Sequence, residues 1–174
     1  MGLLKDKVAI VTGAGGGLGR AHATLLAAHG AKVIVNDLGG ARDGTGSGAS
    51  MADSVVAEIT EAGGTAVANY GSVTDESAAR EMVQTAVDHY GGLDILINNA
   101  GILRDRSFKN MTHDEWDSVI DVHLRGSYLT THFAWQQMLA QGRGGRIIMT
   151  SSTSGLIGNF GQTNYGAAKA GVAG

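Results

Sequence analysis

Two short runs of this chain carry residues whose types and spacing could do chemistry. The first is Thr12-Gly13-Ala14-Gly15-Gly16-Gly17-Leu18-Gly19, between an apolar β-branched run at 7–12 and an alanine- and leucine-rich run at 17–29. A glycine turn that leads from a strand into a helix offers backbone N–H groups with no Cβ in the way, as a pyrophosphate requires. Gly13 and Gly17 can supply the turn, and Gly19 lets helix and strand pack closely. No Gly-Lys-Ser/Thr follows, which disfavours a triphosphate-binding loop. Asp37 closes the next apolar run, about 20 residues on, where a carboxylate can take the adenosine ribose hydroxyls. Its charge would repel a 2′-phosphate, so NAD is expected over NADP, with Arg42 and Lys32 the nearby cations that could reverse the preference.

The second run is Tyr165-Gly166-Ala167-Ala168-Lys169, a phenol and an ammonium at i and i+4 on one helix face. A phenol titrates near ~10 and is a poor base at neutral pH; lowering it by two to three units takes roughly 3–4 kcal/mol of preference for the phenolate. A desolvated ammonium ~4–6 Å away, together with the positive ring of an oxidised nicotinamide, can supply that. Taken alone, Tyr165 reads equally well as an amphipathic aromatic at a helix start. Ser152 lies 13 residues earlier, where a strand ends, and its hydroxyl could bind a carbonyl oxygen while the phenol exchanges the proton. Ser151, Thr153 and Ser154 leave the choice of serine open.

Both runs need elements to hold them. Apolar runs at 7–12, 32–36, 65–68, 93–98 and 146–151 read as strands, and 17–29, 49–62, 75–90, 112–141 and a segment from 163 read as helices. Thr112 with Glu115 forms a capping-box pattern that opens the long helix. Strands that are apolar throughout and alternate with helices predict an α/β doubly wound parallel sheet of Rossmann type, ordered 3-2-1-4-5. The glycine-rich segment 38–48 is expected to be a mobile loop, and residues 1–174 a single domain.

Composition excludes several classes. The chain has 174 residues and a formal charge of −3, which argues against a nucleic-acid binder built on a basic face. No run is long and apolar enough to span a bilayer. Cysteine is absent, so disulfide and thiolate chemistry are excluded, and the reading is a cytoplasmic protein. The remaining histidines show no metal-ligand spacing, so no metal site is expected.

Taken together, Thr-Gly-x-x-x-Gly-x-Gly at 12–19, Asn98-Asn99-Ala100-Gly101, Ser152 and Tyr-x-x-x-Lys at 165–169 resemble the short-chain dehydrogenase/reductase family along the whole chain. The runs 35–40, 102–108, 122–126, 146–152 and 158–162 are similar to its (3R)-hydroxyacyl-CoA dehydrogenase branch, found in peroxisomal multifunctional enzyme type 2 and in bacterial relatives. The resemblance implies an oxidoreductase passing hydride between NAD and a secondary alcohol, with an acyl-CoA as the small-molecule partner. It implies Tyr165 as general acid/base, Lys169 as the group that tunes it and holds the nicotinamide ribose, and Ser152 on the substrate oxygen. Cofactor contacts are implied for Gly13, Gly17, Leu18, Gly19, Asp37, Ser72, Val73, Asn99, Ala100 and Gly101. His123 stands where many relatives carry an asparagine, and Ser72 where many carry an aspartate. A homodimer or tetramer is implied, built on the helix 112–141, and a peroxisomal location if the source is eukaryotic. The chain ends five residues after Lys169, so the expectation is a sheet incomplete on its C-terminal side, lacking later strands and a substrate loop. The competing readings are a steroid or small-alcohol dehydrogenase and a non-catalytic nucleotide-binding fragment.

Overall fold

The computed structural model describes residues 2–174. Five parallel strands form one sheet: β1 (Val8–Thr12), β2 (Lys32–Asn36), β3 (Thr65–Asn69), β4 (Ile95–Asn98) and β5 (Arg146–Met149). Their spatial order is β3-β2-β1-β4-β5, as the alternation of strands and helices predicts. β1 pairs with β2 from Val8↔Lys32 to Thr12↔Asn36 and with β4 from Ala9↔Ile95 to Val11↔Ile97. The chain therefore reverses its direction of travel across the sheet between β1 and β4, which opens a crevice at the carboxyl ends of these strands.

The pleat divides β1 between two cores. Val8 and Ile10 pack with Ile34, Leu96, Met82 and Phe133, on the side of α3 (Glu76–Tyr90) and α5 (Gly126–Ala140). Ala9 and Val11 pack with Val33, Val35, Ala23, Val55 and Ile59, on the side of α1 (Gly17–Ala28) and α2 (Ser50–Glu61). All five β1 side chains are buried, as befits a central strand covered on both faces. β5 is different, with Arg146, Ile148 and Met149 exposed.

Three segments depart from the sequence expectations. The helix expected over 112–141 is two helices, α4 (His113–Ile120) and α5, joined by a π-helical turn at Asp121–Arg125. Its start is as predicted: Thr112 and Glu115 form the reciprocal capping box. β5 stops at Met149, and Ser152 caps a short helix, α6 (Thr153–Ile157), ahead of α7 (Thr163–Ala173). The segment 38–48 is not a free loop. Gly48 N–H donates to Leu38 O at 2.9 Å and Ala41 N–H to Thr45 O at 2.8 Å, so it folds back on itself as a strap. The strap is tied to the segment after β4 by Leu103 N–H on Arg42 O, 2.9 Å, and by Arg104 Nε on Asp43 O.

Candidate active site

The first half of the site is made by the ends of β1, β2 and β4. Thr12 Oγ1 donates to Ile97 O at 3.3 Å and accepts the N–H groups of Asn99 and Ala100, each at 3.0 Å. Asn99 returns two bonds, from Nδ2 to the carbonyls of Thr12 and Gly13, both 3.0 Å. Side chains at the ends of neighbouring strands thus fasten the start of the glycine turn. Gly13 has φ +61°, and a Cβ there would lie 2.7 Å from Ala100 Cα. A Cβ on Gly19 would lie 2.1 Å from Gly13 O, so α1 reaches the sheet only because this position is glycine. The helix enters without a side-chain cap at Gly16 and without an acidic residue in its first turn. Its leading amides therefore point outward with no side-chain partner, ready for an anion.

Asp37 locks this turn to the end of β2. Its Oδ2 accepts Gly15 N–H at 2.8 Å and its Oδ1 accepts Gly39 N–H at 2.7 Å. Each carboxylate oxygen keeps a lone pair for a ligand hydroxyl. A cavity of about 630 Å³ spreads over these residues, running from Gly13 and Gly17 past Asp37, Ser72 and Val73 to Asn99, Ala100 and Gly101. The strap covers one side with Leu38, Ala41 and Arg42, and Ile102, Asp121 and Val122 close the far end.

The second half is made of buried side chains. Lys169 is 4% exposed, and its ammonium donates to Thr150 O. Burial pulls it down to about 8 from 10.5. Its Nζ lies 5.7 Å from the centre of the Tyr165 ring. The His123 ring meets Tyr165 edge to face, with centroids 5.0 Å apart at 90°. The π turn carries His123 inward, where burial drops it to about 4 and leaves it uncharged at neutral pH. Its Nε2 lies 2.8 Å from Ile102 O, while Nδ1 is buried without a partner. Ser152 caps α6, its Oγ accepting Ser154 N–H at 3.2 Å, and so keeps its own hydrogen free to donate. α6 fits against α7 through two glycines: a Cβ on Gly155 would lie 2.7 Å from Ala170 N and one on Gly166 3.0 Å from Ser154 O.

Of the cofactor residues expected from sequence, Gly13, Gly17, Asp37, Ser72, Val73, Asn99, Ala100 and Gly101 line the cavity. Leu18 does not; it is 68% exposed on the outer side of α1. Gly19 lies behind the turn and shapes it from below. Tyr165, Lys169 and Ser152 do not line the cavity; Tyr165 lies against His123, which bonds the lining residue Ile102. Three residues that shape the site are not singled out by sequence: Thr12, which belongs to the glycine pattern itself, Gly15, whose backbone N–H moors Asp37, and Asn164, next to Tyr165.

A dinucleotide-binding crevice with a tyrosine–lysine helix beside it defines a class, and the chain belongs to the short chain dehydrogenase family, which it matches over residues 7–174. The family uses nicotinamide cofactors, and the bare glycine cradle, the uncapped helix start and the cavity volume fit such a group. The chain is 56% identical over 98% of its length to a short-chain type dehydrogenase/reductase of Mycobacterium tuberculosis, of which it covers 59%. It is 57% identical over 97% of its length to peroxisomal multifunctional enzyme type 2 of Mus musculus, covering 22% of that protein. A hydroxyacyl-CoA dehydrogenase of Mycobacterium tuberculosis is 47% identical over 97% of the chain, which covers 54% of it. The crystal structure of a short chain dehydrogenase from Mycobacterium avium superposes with a TM-score of 0.91 at 53% identity, over 99% of this chain and 61% of that one. The chain thus spans less than two thirds of the length of these relatives. No helix among the described residues is long and apolar enough to cross a membrane.

Proposed function

We propose that this chain is the NAD-binding and proton-transfer part of a dehydrogenase that oxidises the secondary alcohol of a 3-hydroxyacyl-CoA. The observation that carries this reading is the buried Lys169 ammonium 5.7 Å from the Tyr165 ring, at the sheet edge that also bears the glycine cradle. Lys169 stabilises the phenolate form of Tyr165, which takes the alcohol proton and becomes the neutral phenol. Ser152, with its hydrogen free, donates to the substrate oxygen and holds it near the phenol. A nicotinamide held by the glycine cradle would supply the acceptor for the hydride of the carbinol carbon.

Asp37 supports NAD over NADP, since its carboxylate faces the cavity from the end of β2 with both oxygens fixed by backbone N–H groups. A 2′-phosphate there would meet a fixed negative charge. The thioester substrate is supported by the names of the relatives and by the similarity of the runs 102–108 and 122–126 to that branch. The exposed Tyr128, Trp135 and Leu139 along α5 support assembly into a homodimer or tetramer.

The test is turnover of a 3-hydroxyacyl-CoA against a 17β-hydroxysteroid with NAD, alongside NADH binding by fluorescence. We expect the thioester to be preferred, and Tyr165→Phe to lose about 1,000-fold in turnover while binding NADH as before. A faster steroid reaction would reassign the substrate. Full activity of Tyr165→Phe would remove the phenol from the mechanism.

A further inference from the structure

Asn164 has no role in the chemistry above, yet its side chain is completely buried beside Tyr165. Its Nδ2 donates to Arg104 O at 3.0 Å and to Glu115 O at 2.8 Å, which uses both hydrogens of the amide. Its Oδ1 accepts the N–H of Tyr165 at 2.8 Å. One side chain therefore joins the start of α7 to the segment after β4 and to α4. Such a bond is needed here. The leading N–H groups of a helix have no intrahelical acceptor, and Gln162, at the N-cap position, makes no side-chain cap. The Gln162 amide is spent on Ser154, Asn159 and Asp105.

The segment that Asn164 grips also bears the second support of the phenol. Ile102, two residues before Arg104, holds the His123 imidazole whose edge meets the Tyr165 ring. Tyr165 is thus held at its backbone through Arg104 and at its ring through Ile102.

We propose that Asn164 is a positioning residue: it hangs the first turn of α7 on Arg104 O and Glu115 O and so fixes where the Tyr165 hydroxyl stands. This rests on the reading of Tyr165 as the acid/base. Losing the amide leaves two carbonyls and one N–H without this partner and frees the helix start to shift. A displacement of about 1 Å at a reacting group costs about 100-fold in rate.

The test compares Asn164→Ala, Asn164→Ser and Asn164→Asp with the parent chain. Asn164→Ala is expected to lose about 100-fold in kcat, with the KM for NAD and NADH binding unchanged and a larger solvent deuterium isotope effect, because proton transfer becomes slower. Asn164→Asp, the same shape with acceptors turned to two carbonyls, should do no better. Asn164→Ser, which retains one donor, should recover part of the rate. Independently of turnover, the NMR resonances of the Tyr165 ring, which sits against His123, should move in Asn164→Ala. Parental kcat, isotope effect and ring resonances in a folded Asn164→Ala would overturn the proposal, as would failure of all three variants to fold, which would make Asn164 a core residue only. Tyr165→Phe separates the two readings. If it stays active, the acid/base assignment has failed; if it is inactive while Asn164→Ala is not, only the positioning role has.

Discussion

The glycine turn and the surroundings of Tyr165 do opposite things with the same sheet edge. At the turn the site is backbone: N–H groups, a left-handed Gly13 and the bare approach of Gly19 to Gly13 O, with Asp37 as the one carboxylate moored there. Around Tyr165 the site is side chain: a buried ammonium, a buried neutral imidazole and a buried amide, each tied to a carbonyl. Under the proposed function the contrast follows from the ligands. A pyrophosphate already carries its charge, and fixed dipoles suffice to hold it. A proton has to move, and that needs titratable groups whose charge states are set by burial and neighbours.

Three further experiments would sharpen or break this contrast. Gly19→Ala has the largest expected effect, because its Cβ would meet the backbone of Gly13 at 2.1 Å and rigid backbone cannot give way cheaply. A loss of roughly 3 kcal/mol in urea unfolding is expected, with NADH affinity lost alongside it. Retained affinity would mean that the turn does not depend on this close approach.

At the other end, the His123 imidazole titrates at about 4 in the fold against 6.5 for the free side chain. Between those values the unfolded chain binds a proton that the folded chain refuses, so its contribution is complete above pH 6.5 and fades on acidification. The stability difference between the parent and His123→Gln should therefore shrink between pH 6.5 and 4, by on the order of 2–3 kcal/mol. A constant difference would mean that the imidazole is not held neutral.

Gly17→Ala has the smallest expected effect. Its φ is +51° but nothing lies within 4 Å of the added carbon, so only conformational strain of about 1 kcal/mol is at stake. A cost as large as that of Gly19→Ala would make backbone conformation, rather than clearance, the main demand on the turn.

The same contrast explains what could be read from the sequence. Strand order and the glycine turn were legible because parallel strands are apolar throughout and a bare turn can be written only in glycine. The nearness of Tyr165 and Lys169 was legible because i, i+4 spacing survives in any helix. Asn164 was not, since one asparagine looks like any other until the carbonyls it serves are brought together from 49 and 60 residues away. The π turn was equally hidden. The apolar spacing through 112–141 suits a continuous helix, and only packing against α7 and α3 at once demands the extra residue. The side chain of Leu18 follows the helix outward, which leaves only its backbone beside the cradle. The strap 38–48 was read as free from its glycines, and its ties depend on carbonyls that meet Leu103 and Arg104 only in the folded chain.

The bulge at Asp121–Arg125 also makes chain length a constraint there. A π turn takes up one more residue than an α turn while the helix on either side keeps its phase, so one residue fewer here would close the turn into ordinary α-helix. Leu129, Phe133 and Met138 would keep their places in the core, and the loss would fall on the turn itself, which carries His123 inward. A single deletion there would thus spare the sheet-covering flank of α5 and withdraw the imidazole from beside Tyr165.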